Sequence, residues 1–250
     1  VNQDHQATIQ TWDDLWDRSD PQLAARRLEE ERHGTRWNTF RAHLEQTFGS
    51  RRLRCVELGS GEGDFSVLLA ELGHEVTLVD FSPKALRRAE QRLASLGLSG
   101  QFIEADLFQF AHDRAGTFDV SLSLGVAEHF SGQSRQRIVE AHRQVLAPGG
   151  VTLISVPNAA CFPYRMWKLY LQARGWWTYG YEAPFHRREL TNLALHSGFN
   201  ECRAYGTGFA ASVDRCLLKI VTGRQLGWKE GPPWINHYAG WAMNLLAKAA

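Results

Sequence analysis

The apolar run at residues 53–58 meets Gly59-Ser60-Gly61-Glu62-Gly63-Asp64, turns into a stretch of helical period over 65–72, and returns as a second apolar run that ends on Asp80. A strand that must reverse within five residues into a helix needs backbone conformations that glycine adopts without strain, and glycine lets a ligand approach the main chain closely. A carboxylate closing the second strand stands where the two ribose hydroxyls of an adenosine would cross the strand ends. These 28 positions therefore commit the chain to βαβ construction, with a crevice at the carboxyl ends of a mainly parallel sheet.

The rest of the chain continues that grammar. Residues 75–80, 101–104, 118–124 and 151–156 are short apolar runs suited to buried strands, and 65–72, 83–96 and 133–146 carry helical periodicity between them. The expected fold is α/β, a Rossmann-like seven-stranded sheet covered by helices on both faces. Asp20-Pro21 starts a helix running to about Gly34, and Trp37, Phe40, Leu44 and Phe48 form the apolar stripe of another that Gly49 ends, so residues 1–50 read as a helical cap on a domain of residues 51–250. Trp12 and Trp16, four residues apart, share a helix face that either folds over the crevice or packs into the core. An aromatic-rich insertion follows Pro157, to about residue 187, and the tail from Trp241 to Ala249 is expected as a last strand at the sheet edge.

Charge excludes some partners. With 28 Lys and Arg against 27 Asp and Glu, the chain lacks the basic excess of a protein held to nucleic acid by phosphate contacts. Four cysteines without a CxxC pair point to a reducing compartment, no metal ligand set is expected, and no apolar run reaches a membrane span, so a cytoplasmic location is expected. Within the glycine loop, Glu57, Glu62 and Asp64 argue against a pyrophosphate: at ~5 Å and an effective dielectric near 20, each like-charge pair costs about 3 kcal/mol. A cofactor carrying a cation suits that loop.

On these residues the chain resembles the class I S-adenosylmethionine-dependent methyltransferases, in the small-molecule branch similar to ubiquinone-biosynthesis-type O-methyltransferases. Glu57-Leu-Gly-Ser-Gly-Glu-Gly63 resembles the family's first motif, and Leu-Val-Asp80-Phe81-Ser its second strand end. The resemblance implies that Glu57, Gly59, Ser60, Gly61 and Gly63 form the cofactor loop and that Asp80 binds the ribose. It further implies that Phe81 packs on adenine, that Asp106 meets the adenine amino group beside Leu107, and that Gly125 and Glu128 border the methyl-transfer site. The tail departs from the family's final antiparallel strand pair, which is not plainly written.

Candidate bases are His129, on the loop facing the sulfonium, and His186, delivered by the insertion; each has an ordinary pKa of ~6.5 suited to accepting a hydroxyl proton. Asp119 reads as an anchor at a strand start. Tyr164, Trp167, Trp177 and Tyr181 offer flat contact area with polar tips for an acceptor, and Arg165, Lys168 and Arg174 interleave with them, which also suits a membrane surface. The expectation is methyl transfer to a hydroxyl of a natural product, quinone precursor or saccharide. N-methylation of a small amine, a non-catalytic adenosine-fold module and a dinucleotide-dependent oxidoreductase are the alternatives.

Overall fold

In the computed structural model, which describes residues 11–224, 227 and 230–250, a single seven-stranded sheet organises the chain. Its strands are β1 (Arg54–Leu58), β2 (Glu75–Asp80), β3 (Gln101–Glu104), β4 (Phe118–Leu124), β5 (Leu146–Pro157), β6 (Phe199–Thr207) and β7 (Ala242–Ala249), in the order β3-β2-β1-β4-β5-β7-β6. The first five are mutually parallel, a crossover helix leading from each to the next. Asp119 accepts the Arg54 N–H at 2.9 Å and anchors the start of β4 to β1, as its sequence position suggested.

The tail is a strand, but not at the edge. β7 runs antiparallel between β5 and β6, leaving β6 outermost. Its residues are buried on both faces, which an edge position would not require. Within it Asn244 is fully buried and satisfied by the Ser155 hydroxyl at 2.8 Å, Thr207 Oγ1 at 3.1 Å and the Tyr205 carbonyl at 3.3 Å.

The helices are α1 (residues 11–17), α2 (Pro21–Arg32), α3 (Thr35–Phe48), α4 (Asp64–Glu71), α5 (Pro83–Ser95), α6 (Leu107–Asp113), α7 (Ser134–Val145), α8 (Phe162–Ala173), α9 (Arg187–His196), α10 (Phe209–Ser212), α11 (Lys219–Thr222) and α12 (Pro233–Ala239). Asp20 caps α2 by accepting the Gln22 N–H at 2.8 Å, and Gly49 ends α3 with φ of 64°. α6, α8 and α12 were not foreseen: α6 and α12 are short, and the dense aromatics of residues 162–173 obscure a helical period.

α2 and α3 pack directly on the sheet. Leu28, Trp37, Phe40 and Leu44 share one core with Phe65, Leu78, Leu122 and Leu153 on one face of the sheet. The other face packs Ile138, Val139, Ile154, Leu190 and Leu245 beneath α7 and α9. No helix among the described residues is long and apolar enough to cross a membrane. Phe40, fully buried against Trp37 and Phe65, connects the N-terminal helices to the sheet. Phe40→Ala is expected to cost ~3–5 kcal/mol in urea denaturation; a loss under ~1 kcal/mol would mean that α3 contributes little to the core.

Candidate functional site

The glycine loop is sewn to the end of β2. Gly59 and Ser60 donate their N–H groups to the Val79 carbonyl at 2.8 and 3.0 Å, and Gly61 donates to Asp80 Oδ2 at 2.8 Å. Gly63, with φ of 69°, forms the N-terminal cap of α4, and a Cβ there would lie 2.5 Å from Leu78 Cδ2. Only glycine fits both the conformation and the space.

Asp80 is buried, and burial raises its carboxyl above the usual value against the N–H bonds from Ser82 and Gly61. Its Oδ1 accepts the Ser82 N–H at 2.9 Å, and the Phe81 N–H also bonds to the carboxylate, which with about four accepting positions on its two oxygens still has capacity for a ligand hydroxyl. Beside it, the Ser60 hydroxyl is buried with no hydrogen-bond partner among the described residues. An orphaned hydroxyl beside a carboxylate with spare lone pairs fits the ribose of an adenosyl cofactor.

The Ala105 N–H bonds to the Asp80 carbonyl at 3.1 Å, which brings the turn after β3 alongside. There Asp106 caps α6, its Oδ1 accepting the Phe108 and Gln109 N–H groups at 2.9 and 3.1 Å, while Phe81 and Leu107 are half-buried.

The loop charges do not face the crevice uncompensated, which removes the electrostatic argument against a pyrophosphate. Glu62 accepts Ser19 Oγ at 2.7 Å, Arg27 at 2.7 Å and Arg88 at 2.8 Å. Burial alone would raise its carboxyl, and these bonds outweigh it and hold Glu62 below the usual value. Asp64 is paired with Arg27 at 2.6 Å and with Arg92. Glu57 is buried under the loop, bonded to the Ser66 hydroxyl and N–H, and burial pushes it up to about 8, so it is mostly uncharged at neutral pH. The residues that neutralise the loop come from α2 and α5, distant in sequence.

α1 lies over this loop. The Trp16 ring reaches within 2.7 Å of where a Cβ on Gly61 would stand, Trp12 stacks on Trp16 at 6.3 Å, and Asp13 accepts the Ser82 hydroxyl.

At the carboxyl end of β4, Gly125 donates to the Ser155 carbonyl at 2.9 Å, and Ala127–His129 form a single 3-10 turn. Glu128 is buried, its Oε2 without a partner among the described residues, and burial followed by the nearby Glu182 pushes it up to about 8. His129 Nδ1 lies 2.7 Å from the Tyr181 carbonyl oxygen, and the ring packs edge-on to Trp12 at 5.0 Å. Burial lowers the His129 pKa.

The insertion closes on this turn. Ala183 donates its N–H to the Glu128 carbonyl at 2.8 Å, and the Lys168 ammonium, on α8, bonds to both the carbonyl and the carboxylate of Glu182 while lying 4.6 Å from the Trp177 ring. The ligand atoms of Glu128, His129 and Glu182 all lie within 4.8 Å of one another, close enough to share one cation, and the Lys168 ammonium pairs with Glu182 at 3.2 Å. Sequence reading missed Glu182 altogether and treated Lys168 as surface charge, although its four-residue spacing from Tyr164 places both on one helix face.

The other candidates divide. His186 stands at the N-cap of α9, exposed, its N–H bonded to Glu189 at 3.4 Å, apart from the His129 cluster. Tyr164 is buried and stacked on Trp241 at 6.1 Å, so it forms wall rather than contact surface, whereas Trp167 and Trp177 pair at 5.9 Å and stay half-exposed. Tyr181 contributes its carbonyl, its side chain being exposed. Trp241 also borders a cavity of about 510 Å³ lined by Arg36, Thr207, Asp214 and Arg215.

Comparison with known proteins agrees with this geometry. The family model for a methyltransferase domain matches residues 55–150. A ubiquinone biosynthesis O-methyltransferase of Caulobacter sp. (strain K31) is 34% identical over 106 residues, covering 42% of this chain and 41% of the relative. A tRNA 5-carboxymethoxyuridine methyltransferase of Escherichia coli (strain K12) is 32% identical over 113 residues, covering 44% of this chain and 42% of the relative. The chain thus spans about two fifths of the length of these relatives. The crystal structure of the N-methyltransferase NodS from Bradyrhizobium japonicum WM9, in complex with S-adenosyl-L-homocysteine, superposes with a TM-score of 0.57 at 16% identity, covering 97% of this chain and 98% of that one. At that identity the likeness is one of fold.

Asp80→Asn replaces an accepting oxygen with a donor that faces the Gly61 or Ser82 N–H. It is expected to weaken S-adenosylhomocysteine binding at least about tenfold by calorimetry, ~1.4 kcal/mol; unchanged affinity would remove Asp80 from the site.

Proposed function

We propose, on the premise that the chain belongs to the class I S-adenosylmethionine-dependent methyltransferases, that it methylates a small-molecule acceptor and that the accepting group is a hydroxyl. S-adenosylmethionine held between the glycine loop and Asp80 supplies an electrophilic methyl group on a sulfonium. Gly59, Ser60, Gly61 and Gly63 cradle it, Asp80 takes the ribose, and Phe81, Asp106 and Leu107 form the adenine wall. Gly125 and Glu128 border its reactive end. The acceptor lies against Trp167 and Trp177, with Tyr164 behind them.

The observation that carries the hydroxyl reading is the contact between His129 Nδ1 and the Tyr181 carbonyl, 2.7 Å. A carbonyl can only accept, so Nδ1 carries the hydrogen and Nε2 is left with its lone pair. Burial keeps the ring neutral by lowering its pKa. His129 is therefore a base of fixed tautomer, which an amine acceptor with a free lone pair would not need. Alignment of donor and acceptor can supply ~7–11 kcal/mol of the barrier, so one base suffices beyond positioning. The Caulobacter relative, named as an O-methyltransferase, favours the same reading.

His129→Ala is expected to lower turnover of phenolic or sugar hydroxyls by about 10²–10⁴ while leaving S-adenosylhomocysteine affinity intact, and to spare amine acceptors. In the wild type the acid limb of kcat/KM should fall below pH ~6.5, because burial moves this imidazole downward. Full hydroxyl methylation by His129→Ala would remove the base from the mechanism, and turnover confined to amines would replace the reading with N-methylation.

A further inference from the structure

α8 has two unlike faces. Tyr164, Trp167 and Lys168 turn inward, toward Trp241, Trp177 and Glu182. On the opposite side Phe162, Met166 and Leu169 recur at spacings of four and three and form one stripe roughly 10 Å long. Their relative exposures are 63%, 42% and 57%, so the stripe is uncovered by any described part of the chain. Outward faces of surface helices are ordinarily polar, and a contiguous apolar strip there marks a contact.

The charges beside the stripe have one sign. No acidic residue occurs in α8, Arg165 is exposed among the apolar side chains, and Arg174 follows the last turn. The Arg174 guanidinium lies 5.6 Å from the Tyr170 ring and 5.5 Å from the Trp176 ring, and Trp176 is 58% exposed. An aromatic and arginine cluster at the end of an apolar stripe matches the boundary between lipid headgroups and acyl chains, where tryptophan is favoured and arginine meets lipid phosphates. Basic residues near an anionic bilayer surface add electrostatic attraction that salt screens.

We propose that the outer face of α8, with Trp176 and Arg174, docks on the surface of an anionic lipid bilayer. The helix then lies in the interface plane, its apolar stripe in the headgroup boundary and its inner face on the His129 cluster. This rests on exposure and charge and is independent of the acceptor reading.

The test is co-sedimentation of the protein with vesicles of phosphatidylcholine alone and of phosphatidylcholine with about a third phosphatidylglycerol. The wild type should bind the anionic vesicles, release them as salt is raised, and bind neutral ones at least tenfold more weakly. Phe162→Glu combined with Leu169→Glu, and separately Arg165→Glu combined with Arg174→Glu, should each lower anionic-vesicle binding at least tenfold with S-adenosylhomocysteine affinity unchanged. Absence of wild-type binding, or binding that survives both double substitutions, would overturn the proposal. So would a wild-type dimer that the Phe162 and Leu169 pair converts to monomer, since the stripe would then cover a second copy.

Discussion

Backbone N–H groups of Gly61, Phe81 and Ser82 converge on the carboxylate of Asp80. That convergence holds the glycine loop against the end of β2, sets the start of α5 through Ser82, and leaves the outer lone pairs of the carboxylate at the mouth of the crevice. Removing any of these donors would leave a buried carboxylate under-satisfied, and removing the carboxylate would free both loops. The rest of the site is arranged around this junction: the turn after β3 is tied to the Asp80 carbonyl, and α1 is tied to Ser82 through Asp13.

Around the junction lies a second layer of charge. Glu62 and Asp64 face arginines 27, 88 and 92, so α2 and α5 clamp the outside of the loop. Counting acids along residues 57–64 suggested a negative loop that would turn away phosphate, whereas the folded loop is close to neutral. Local sequence could not reveal this, because the neutralising arginines are between 26 and 37 residues from their partners. The preference for a sulfonium cofactor rests instead on the family match over residues 55–150.

Much of the sheet was legible. β2 and β4 coincide with their apolar runs because a strand buried on both faces writes itself as continuous hydrophobicity, and the half-buried edge strand β3 coincides with its shorter one. β7 was readable as a strand and misplaced, since an apolar run records burial and not its neighbours. The candidate site was legible where the backbone dictates residue type, at the positive-φ Gly59, Gly61 and Gly63 and at Asp80, which accepts the Gly61 N–H. It was illegible where tertiary contacts decide. Nothing local separates His129 from His186; what does is that the insertion folds back and places the Tyr181 carbonyl on one and leaves the other capping α9. Glu182 carried no signal, because its role depends on Lys168, fourteen residues away.

In the proposed mechanism the insertion connects acceptor recognition to the base: α8 holds residue 182, the neighbouring carbonyl holds His129, and the same helix exposes an apolar stripe outward. All of this presumes that the adenosyl group sits on the junction described first. A crystal structure of the protein with S-adenosylhomocysteine tests that most directly. The account predicts both ribose hydroxyls within hydrogen-bonding distance of the Asp80 carboxylate, with the Gly61 and Ser82 bonds retained; a ribose bound elsewhere, or a glycine loop that opens away from Asp80, would contradict it.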